Sequence, residues 1–369
     1  MFNIYIENYG CTANQNNGEI IRGILERQGF TFIPKPELAD IVIINTCIVK
    51  GPTRQKMIFR IKELAKFPRL IVTGCMPDVE RQRIKRIAKQ ANPDIKIALV
   101  GTKHIHEITK AIKAIMENKE VEIISRENEI KLGLPKTLKR KNIGITQISE
   151  GCLGNCSYCI VKLAKGSLFS YPQEKILKNI ENDLLSCNEI WLTSQDNAAY
   201  GSETGKSKLP ELMKKILSIK KKFKIRLGMM NPSSLLPILD EMIEIYKNEK
   251  MIKFLHIPVQ SGSDRILKKM NRNYKIKDFL LIVDKFREQI PRIIISTDII
   301  VGFPGETEED FNKTLSLIRK IKPDILNISR FWPMPGTLAE KMEQIPVEEC
   351  KKRVVKLTNL YKKIKYNEK

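Results

Sequence analysis

Three apolar runs in the first hundred residues each break off at a cysteine, and no other feature restricts the fold as tightly. The run Asn3-Ile4-Tyr5-Ile6 is β-prone and stops at Gly10-Cys11, ADIVIINTC ends at Asn45-Thr46-Cys47, and RLIVTGC ends at Gly74-Cys75. Between them, GEIIRGILERQGF and RQKMIFRIKELAKF carry the apolar spacing of helices, and VERQRIKRIAKQ followed by IKIALVG continues the alternation. Uninterrupted apolar strands alternating with helices predict parallel β–α units whose sheet is covered on both faces. In such a sheet the carboxyl ends of the strands share one edge, where ligands bind. Cys11, Cys47 and Cys75 can therefore converge without any local CxxC motif. Three thiolates suit soft iron and leave one iron of a four-iron cluster without a protein ligand. The competing reading is three ordinary buried cysteines. A dinucleotide site is disfavoured, because the first strand–helix turn, GCTANQNNG, lacks the glycine fingerprint for a pyrophosphate.

A charged, loosely patterned stretch over 119–141, ending in LGLPKTLKRKN, marks a boundary. It separates a first domain, 1–125, and a linker, 126–141, from the remainder of the chain. A strand, IGITQIS, then runs into Glu150-Gly151-Cys152-Leu153-Gly154-Asn155-Cys156-Ser157-Tyr158-Cys159. This Cx₃Cx₂C spacing sets three thiolates around one compact group, and the glycines let the loop wrap closely. No fourth cysteine lies nearby, whereas structural zinc asks for four ligands. Further strands are expected in EIWLTSQDNAAYG, KIRLGMMNPSSL, IKFLHIPVQSGSD, RIIISTDIIVGFPGETEEDF and ILNISRFWPMPGT, with helical runs between them. That repetition predicts an α/β chain: an open parallel-sheet domain, then a partial (β/α)₆ barrel over 142–345 whose active face lies at the strands' carboxyl ends. A short basic helical tail, 346–369, closes it, with eight basic residues and one acidic residue from Lys351 onward.

With 369 residues the chain is long enough for two domains. Its formal charge of +23 would concentrate a polyanion such as RNA, although a Lys-rich solvated surface would give the same balance. No secretory leader pattern follows Met1, and no uncharged apolar stretch approaches a membrane span. A cytoplasmic, reducing location is expected, where cysteines serve metals more often than disulfides. Cys187 and Cys350 have no ligand spacing and read as packing, and His104 and His106 read as surface residues.

The Cx₃Cx₂C loop after a first strand resembles that of radical S-adenosylmethionine (SAM) enzymes. The resemblance implies that Cys152, Cys156 and Cys159 hold a [4Fe-4S] cluster whose open iron chelates the methionine part of SAM. It further implies that an electron from the cluster cleaves SAM to a 5′-deoxyadenosyl radical, and that Tyr158 packs near the adenine. The whole chain is similar to the methylthiotransferases, through Cys11, Cys47 and Cys75 as ligands of a second [4Fe-4S] cluster and through GCLGNCSYC, LTSQDNAAYG, LHIPVQSGSD, STDIIVGFPGETEEDF and RFWPMPGT. Within that family the match is to the archaeal and eukaryotic branch acting on N6-threonylcarbamoyladenosine (t6A) at position 37 of tRNA. Two SAM molecules are implied, one methylating a sulfur species and one generating the radical. The implied partners are the anticodon stem-loop bearing t6A37, a low-potential electron donor and a sulfur donor, with no membrane. Gln195 and Asp196 are expected to contact SAM or the modified base, against a capping role for Asp196. SAM contacts are also expected from His256 and Gln260, against satisfied core polar groups, and a carboxylate or SAM contact from Arg226, and Gly302 is expected to admit the adenine to the backbone. Arg330 is expected to face the cavity, with a salt bridge as the equal alternative. The pattern departs from the family at Lys165, where arginine is usual, and in the lack of a complete C-terminal β-barrel RNA-binding (TRAM) domain. The competing functions are methylthiolation of a ribosomal-protein aspartate and a non-catalytic, RNA-associated iron–sulfur protein.

Overall fold

The computed structural model describes residues 2–366, so the last three residues of the expected basic tail lie outside the described part. Its chain forms two compact units that interleave in sequence, 1–151 with 160–187 and 152–159 with 188–369.

The first unit opens with strand β1 (Asn3–Asn8), helix α1 (Thr12–Arg27), β2 (Thr31–Phe32), β3 (Ile41–Thr46) and α2 (Gly51–Leu64). It continues through β4 (Arg69–Gly74), α3 (Cys75–Ala91), β5 (Lys96–Gly101), α4 (Ile108–Met116) and β6 (Val121–Ile123). The six strands make one parallel sheet in the order β2-β1-β3-β4-β5-β6. Every residue of β3 is buried, as expected of a central strand covered on both sides. On one face α1 and α4 set Ile20, Ile21, Leu25, Ile108 and Ile112 against Ile4, Ile41, Ile43, Ile71 and Val100. Each such isoleucine contributes about 1.5–3 kcal/mol by leaving water. Helices α2 and α3 pack on β3, β4 and β5.

Segment 124–142 has no regular secondary structure, yet two of its lysines turn inward. Lys131 is 2% exposed, and Lys136 reaches the carboxylate of Asp183 at 2.5 Å. The unit ends with β7 (Ile143–Gln147), β8 (Ser149–Glu150), α5 (Val161–Lys165), β9 (Phe169–Ser170) and α6 (Gln173–Asp183), β8 pairing antiparallel with β9.

The second unit repeats the β–α theme: β10 (Glu189–Thr193), α7 (Leu209–Leu217), β11 (Lys224–Leu227), α8 (Pro232–Leu235), α9 (Leu239–Lys247), β12 (Phe254–His256), α10 (Asp264–Lys269), α11 (Ile276–Gln289), β13 (Ile294–Val301), α12 (Glu308–Ile321), β14 (Ile325–Arg330) and α13 (Val347–Tyr366). β10 pairs with β11, and β12-β13-β14 pair in order, all parallel. A parallel bridge from Ile225 to Met251, and a bond from the Met230 N–H to the His256 carbonyl, link the two sets. Along these strands Ile190, Leu192, Ile225, Leu227 and Leu255 are fully buried, while Trp191, Arg226, Phe254, His256 and Asp298 line the half-buried face. A capping box between Thr307 and Asp310 starts α12. α13 is the expected basic helix, anchored by buried Cys350, Arg353 and Leu357.

Candidate active site

The register of the first sheet explains where its cysteines fall. Asn8 lies beside Asn45, and Thr46 beside Gly74, so β1, β3 and β4 end together. Cys11 is the N-cap of α1, Cys47 directly follows β3, and Cys75 is the first residue of α3. Two glycines make this approach possible. A Cβ on Gly10 (φ +115°) would stand 2.8 Å from the Cys47 Cβ and 3.1 Å from its Sγ, and one on Gly74 (φ +90°) would strike the Thr46 carbonyl at 2.4 Å. Asn14 fastens the edge, donating to the carbonyls of Tyr9 at 2.6 Å and Thr46 at 2.7 Å, with its oxygen 4.0 Å from the Cys75 sulfur. Cys11 remains exposed while Cys47 and Cys75 are buried. Burial pushes the Cys75 thiol up to about 12, with Lys165 opposing and Cys47 and Cys11 adding to the rise.

Beside these thiols lies a buried charge cluster. One oxygen of Glu150 accepts from Lys131 at 2.5 Å and from Lys165 at 3.3 Å. Lys131 also donates to the Asn17 side chain at 3.2 Å and the Thr102 carbonyl at 3.1 Å. Burial opposes the charge on Glu150, but the two ammonium groups outweigh it and hold the carboxyl at about 2. Burial likewise opposes the charge on Lys165, and Glu150 with the thiols of Cys75 and Cys11 raises its pKa nonetheless. No local pattern signals that Lys131 and Glu150 pair; only folding brings the irregular segment against β8.

In the second unit, Cys152, Cys156 and Cys159 lie in a loop folded around Gly154. A Cβ built there would stand 3.5 Å from the Cys152 sulfur and 3.9 Å from that of Cys156, so both sulfurs face the loop's interior. The Gly154 N–H donates to the Cys152 sulfur at 3.3 Å. Burial, aided by the carboxylate of Asp196, pushes the Cys152 thiol up to about 12. Tyr158 meets Phe303 edge-on at 6.3 Å between ring centres.

Asp196 is 3% exposed and uses both oxygens, accepting from the Asn231 N–H at 3.0 Å and the Ser234 hydroxyl at 2.7 Å. It therefore fastens the turn after β11. Its neighbours Ser194 and Gln195 present Oγ and Oε1 buried without a hydrogen-bond partner. Arg226 lies between Trp191 and Phe254, its guanidinium carbon 4.8 and 4.4 Å from their ring centres. His256 Nε2 is 2.9 Å from Asp298 Oδ2, an acid missed in the sequence although it interrupts an apolar strand. Gln260 adopts φ +71°, and its backbone bonds to both Asp298 and Ile300. Arg330 stacks on Trp332 at 4.3 Å. At Gly302 (φ +75°) the space of a Cβ is taken by the Cys350 sulfur, 2.3 Å away, so this glycine admits a cysteine. The expectation for His104 also fails: it is buried at 5% exposure, with Nε2 2.7 Å from the Ser125 hydroxyl, because the turn after β5 folds inward. His106 stays partly exposed.

Residues 146–318 match the family described as Radical SAM superfamily, and residues 3–99 match Uncharacterized protein family UPF0004. A Pyrococcus horikoshii protein named "Probable threonylcarbamoyladenosine tRNA methylthiotransferase" is 41% identical, over 99% of this chain and 85% of that protein. The chain belongs to the threonylcarbamoyladenosine tRNA methylthiotransferase family. A family member from Xenopus laevis is 37% identical over 97% of this chain and 65% of its own length. Among solved structures, the radical SAM methyltransferase TsrM from Kitasatospora setae superposes with a TM-score of 0.62 at 12% identity, covering 91% of this chain and 76% of that one. The cobalamin-dependent SAM radical enzyme OxsB superposes with a TM-score of 0.57 at 11% identity, covering 98% and 56%. At such identities these likenesses concern the fold.

As a radical SAM methylthiotransferase family member, the chain is an enzyme that uses SAM and [4Fe-4S] clusters. Its residues suit those groups. All eight cysteines are free thiols. Among the described residues, the group of three His, Cys, Asp or Glu ligand atoms mutually within 4.8 Å is His104, His106 and Glu107. The soft thiolate donors fit an iron–sulfur cluster, and the orphaned oxygens of Ser194 and Gln195 fit a polar cofactor.

Proposed function

We propose that this chain converts t6A at position 37 of tRNA to its 2-methylthio derivative. The observation that carries this reading is a pair of incomplete cysteine triads, one in each compact unit of a chain from this family. Cys152, Cys156 and Cys159 hold the cluster that binds SAM, and Cys11, Cys47 and Cys75 hold the second. When bound, these groups supply a carbon radical that removes hydrogen from adenine C2 and the methylthio sulfur that takes its place. The chain's own work is orientation and the exclusion of water. Gln195 and Ser194 direct their unsatisfied oxygens to SAM, beside Asp196, which keeps their loop in place. Arg226, His256, Gln260 and Arg330 position cofactor and base from the strand ends, with Tyr158 shaping the adenine's surroundings. Lys165, whose charge acts on Cys75, offers a cation to an anionic sulfur species. The net charge of +23 favours the anticodon stem-loop as partner. A low-potential electron donor and a sulfur donor complete the cycle, in the cytoplasm.

The test is mass analysis of nucleosides from t6A-containing tRNA incubated anaerobically with reconstituted protein, SAM, sulfide and a strong reductant. A 2-methylthio product is expected. Modified ribosomal protein with unchanged tRNA, or clusters without 5′-deoxyadenosine formation, would refute the reading.

A further inference from the structure

The segment after α10 clasps the Cx₃Cx₂C loop from one side. The Ser157 N–H donates to the Met270 carbonyl at 3.0 Å, and its hydroxyl to the Lys269 carbonyl at 2.9 Å. Asn271, held at φ +56°, donates its amide to the Asn155 carbonyl at 2.7 Å. These bonds deliver the next residue, Arg272, to the cluster ligands, where its Nη1 donates to the Cys156 sulfur at 3.6 Å. The guanidinium is itself pinned, with Nη2 on the Pro258 carbonyl at 3.0 Å and Nε on the Tyr274 hydroxyl at 3.2 Å. Its carbon lies 5.0 Å from the centre of the Tyr274 ring. The Asp196 carboxylate, itself engaged by Asn231 and Ser234, acts on this cation only from a distance.

We propose that Arg272 is a positioning residue that sets the reduction potential of the cluster held by Cys156, through a charged hydrogen bond to that ligand's sulfur. This rests on the reading that Cys152, Cys156 and Cys159 hold the radical-generating cluster. Reduction adds one electron from a low-potential donor to the cluster and so one negative charge to the cluster and its thiolates. A cation fixed at a ligand sulfur stabilises the reduced form more than the oxidised one, the more so away from bulk water. The potential therefore rises, and a donor of given strength reduces more of the cluster. The charge-assisted bond also withdraws density from one particular thiolate, as donors beside metal ligands generally do. Lysine in this place would keep the charge but lose the fork that reaches Pro258, Tyr274 and Cys156 together.

The experiment uses full-length protein with Cys11, Cys47 and Cys75 replaced by alanine, so that a single cluster remains, reconstituted anaerobically without SAM. Potentiometric titration followed by electron paramagnetic resonance compares it with Arg272→Gln and Arg272→Lys added. For Arg272→Gln the ratio of reduced to oxidised cluster at fixed potential should fall about tenfold, equivalent to about 59 mV for one electron. Arg272→Lys should fall less. An unchanged potential in Arg272→Gln, or an equal fall in both variants, would overturn the proposal. Should Arg272→Gln fail to hold iron, a second measurement decides: arginine labelled with ¹⁵N should give a weak nitrogen coupling in the pulsed spectrum of the reduced cluster, absent in Arg272→Lys. No such coupling would refute the contact. Failure of the parent protein to bind iron would instead refute the assignment of the cysteines.

Discussion

Lys131 and Glu150 meet at 2.5 Å with both side chains 1% exposed, and Lys165 shares the same carboxylate oxygen. Glu150→Gln would leave two ammonium groups buried against a neutral amide. Stability of the cluster-free protein should fall by about 3–5 kcal/mol, read from urea unfolding. Adding Lys131→Met should return part of that loss. A Glu150→Gln protein that unfolds at the parent's urea concentration would show that the three charges are not closed against one another.

Gly10→Ala tests the edge of the first sheet. The new methyl would demand a left-handed backbone of alanine and would press on Cys47 at about van der Waals overlap. Iron after reconstitution should drop from about eight to about four per chain, with SAM cleavage retained. Eight irons in the variant would mean that Cys47 is not held against Gly10 as described.

Much of this architecture is legible in the sequence because its signals are local. The β3 run IVIINT and the strand–helix alternation announce a parallel sheet, and a cysteine at each strand end shows where a ligand would sit. The Cx₃Cx₂C loop needs only its own spacing. What stays hidden depends on long-range contact. Arg272 lies 116 residues from Cys156, and Glu150 accepts from a lysine in a segment that reads as a polar connection. His104 reads as polar and therefore exposed, until the fold supplies Ser125. Gly302 reads as a ligand-approach glycine, whereas its space belongs to Cys350, 48 residues on.

That contact supports a double substitution. Gly302→Ala should destabilise the chain, since its methyl would collide with the Cys350 sulfur. Cys350→Ala in the same chain should relieve the collision with the sulfur and leave the left-handed backbone cost, roughly 1–2 kcal/mol, with a tight contact to the residue-350 Cβ at 3.0 Å. Thermal melts of both singles and the double give the coupling between them. Additive effects would contradict it.

Asp78 gives a pH dependence. Burial lifts its carboxyl to about 7 from 3.8, although the Thr102 N–H opposes the rise. Between those values the unfolded chain has released this proton while the folded chain keeps it, so stability falls as pH rises. Asp78→Asn should lose that part of the slope. Melts of the cluster-free protein at about pH 5 and pH 7 check it, and parallel slopes in the two proteins would argue against it.

Separate labour for the two thiol triads is tested most directly by assaying both products in one reaction. Alanine at Cys11, Cys47 and Cys75 should leave 5′-deoxyadenosine formation in place and abolish the 2-methylthio nucleoside. Alanine at Cys152, Cys156 and Cys159 should abolish both. SAM cleavage that persists without Cys152, Cys156 and Cys159 would contradict the account.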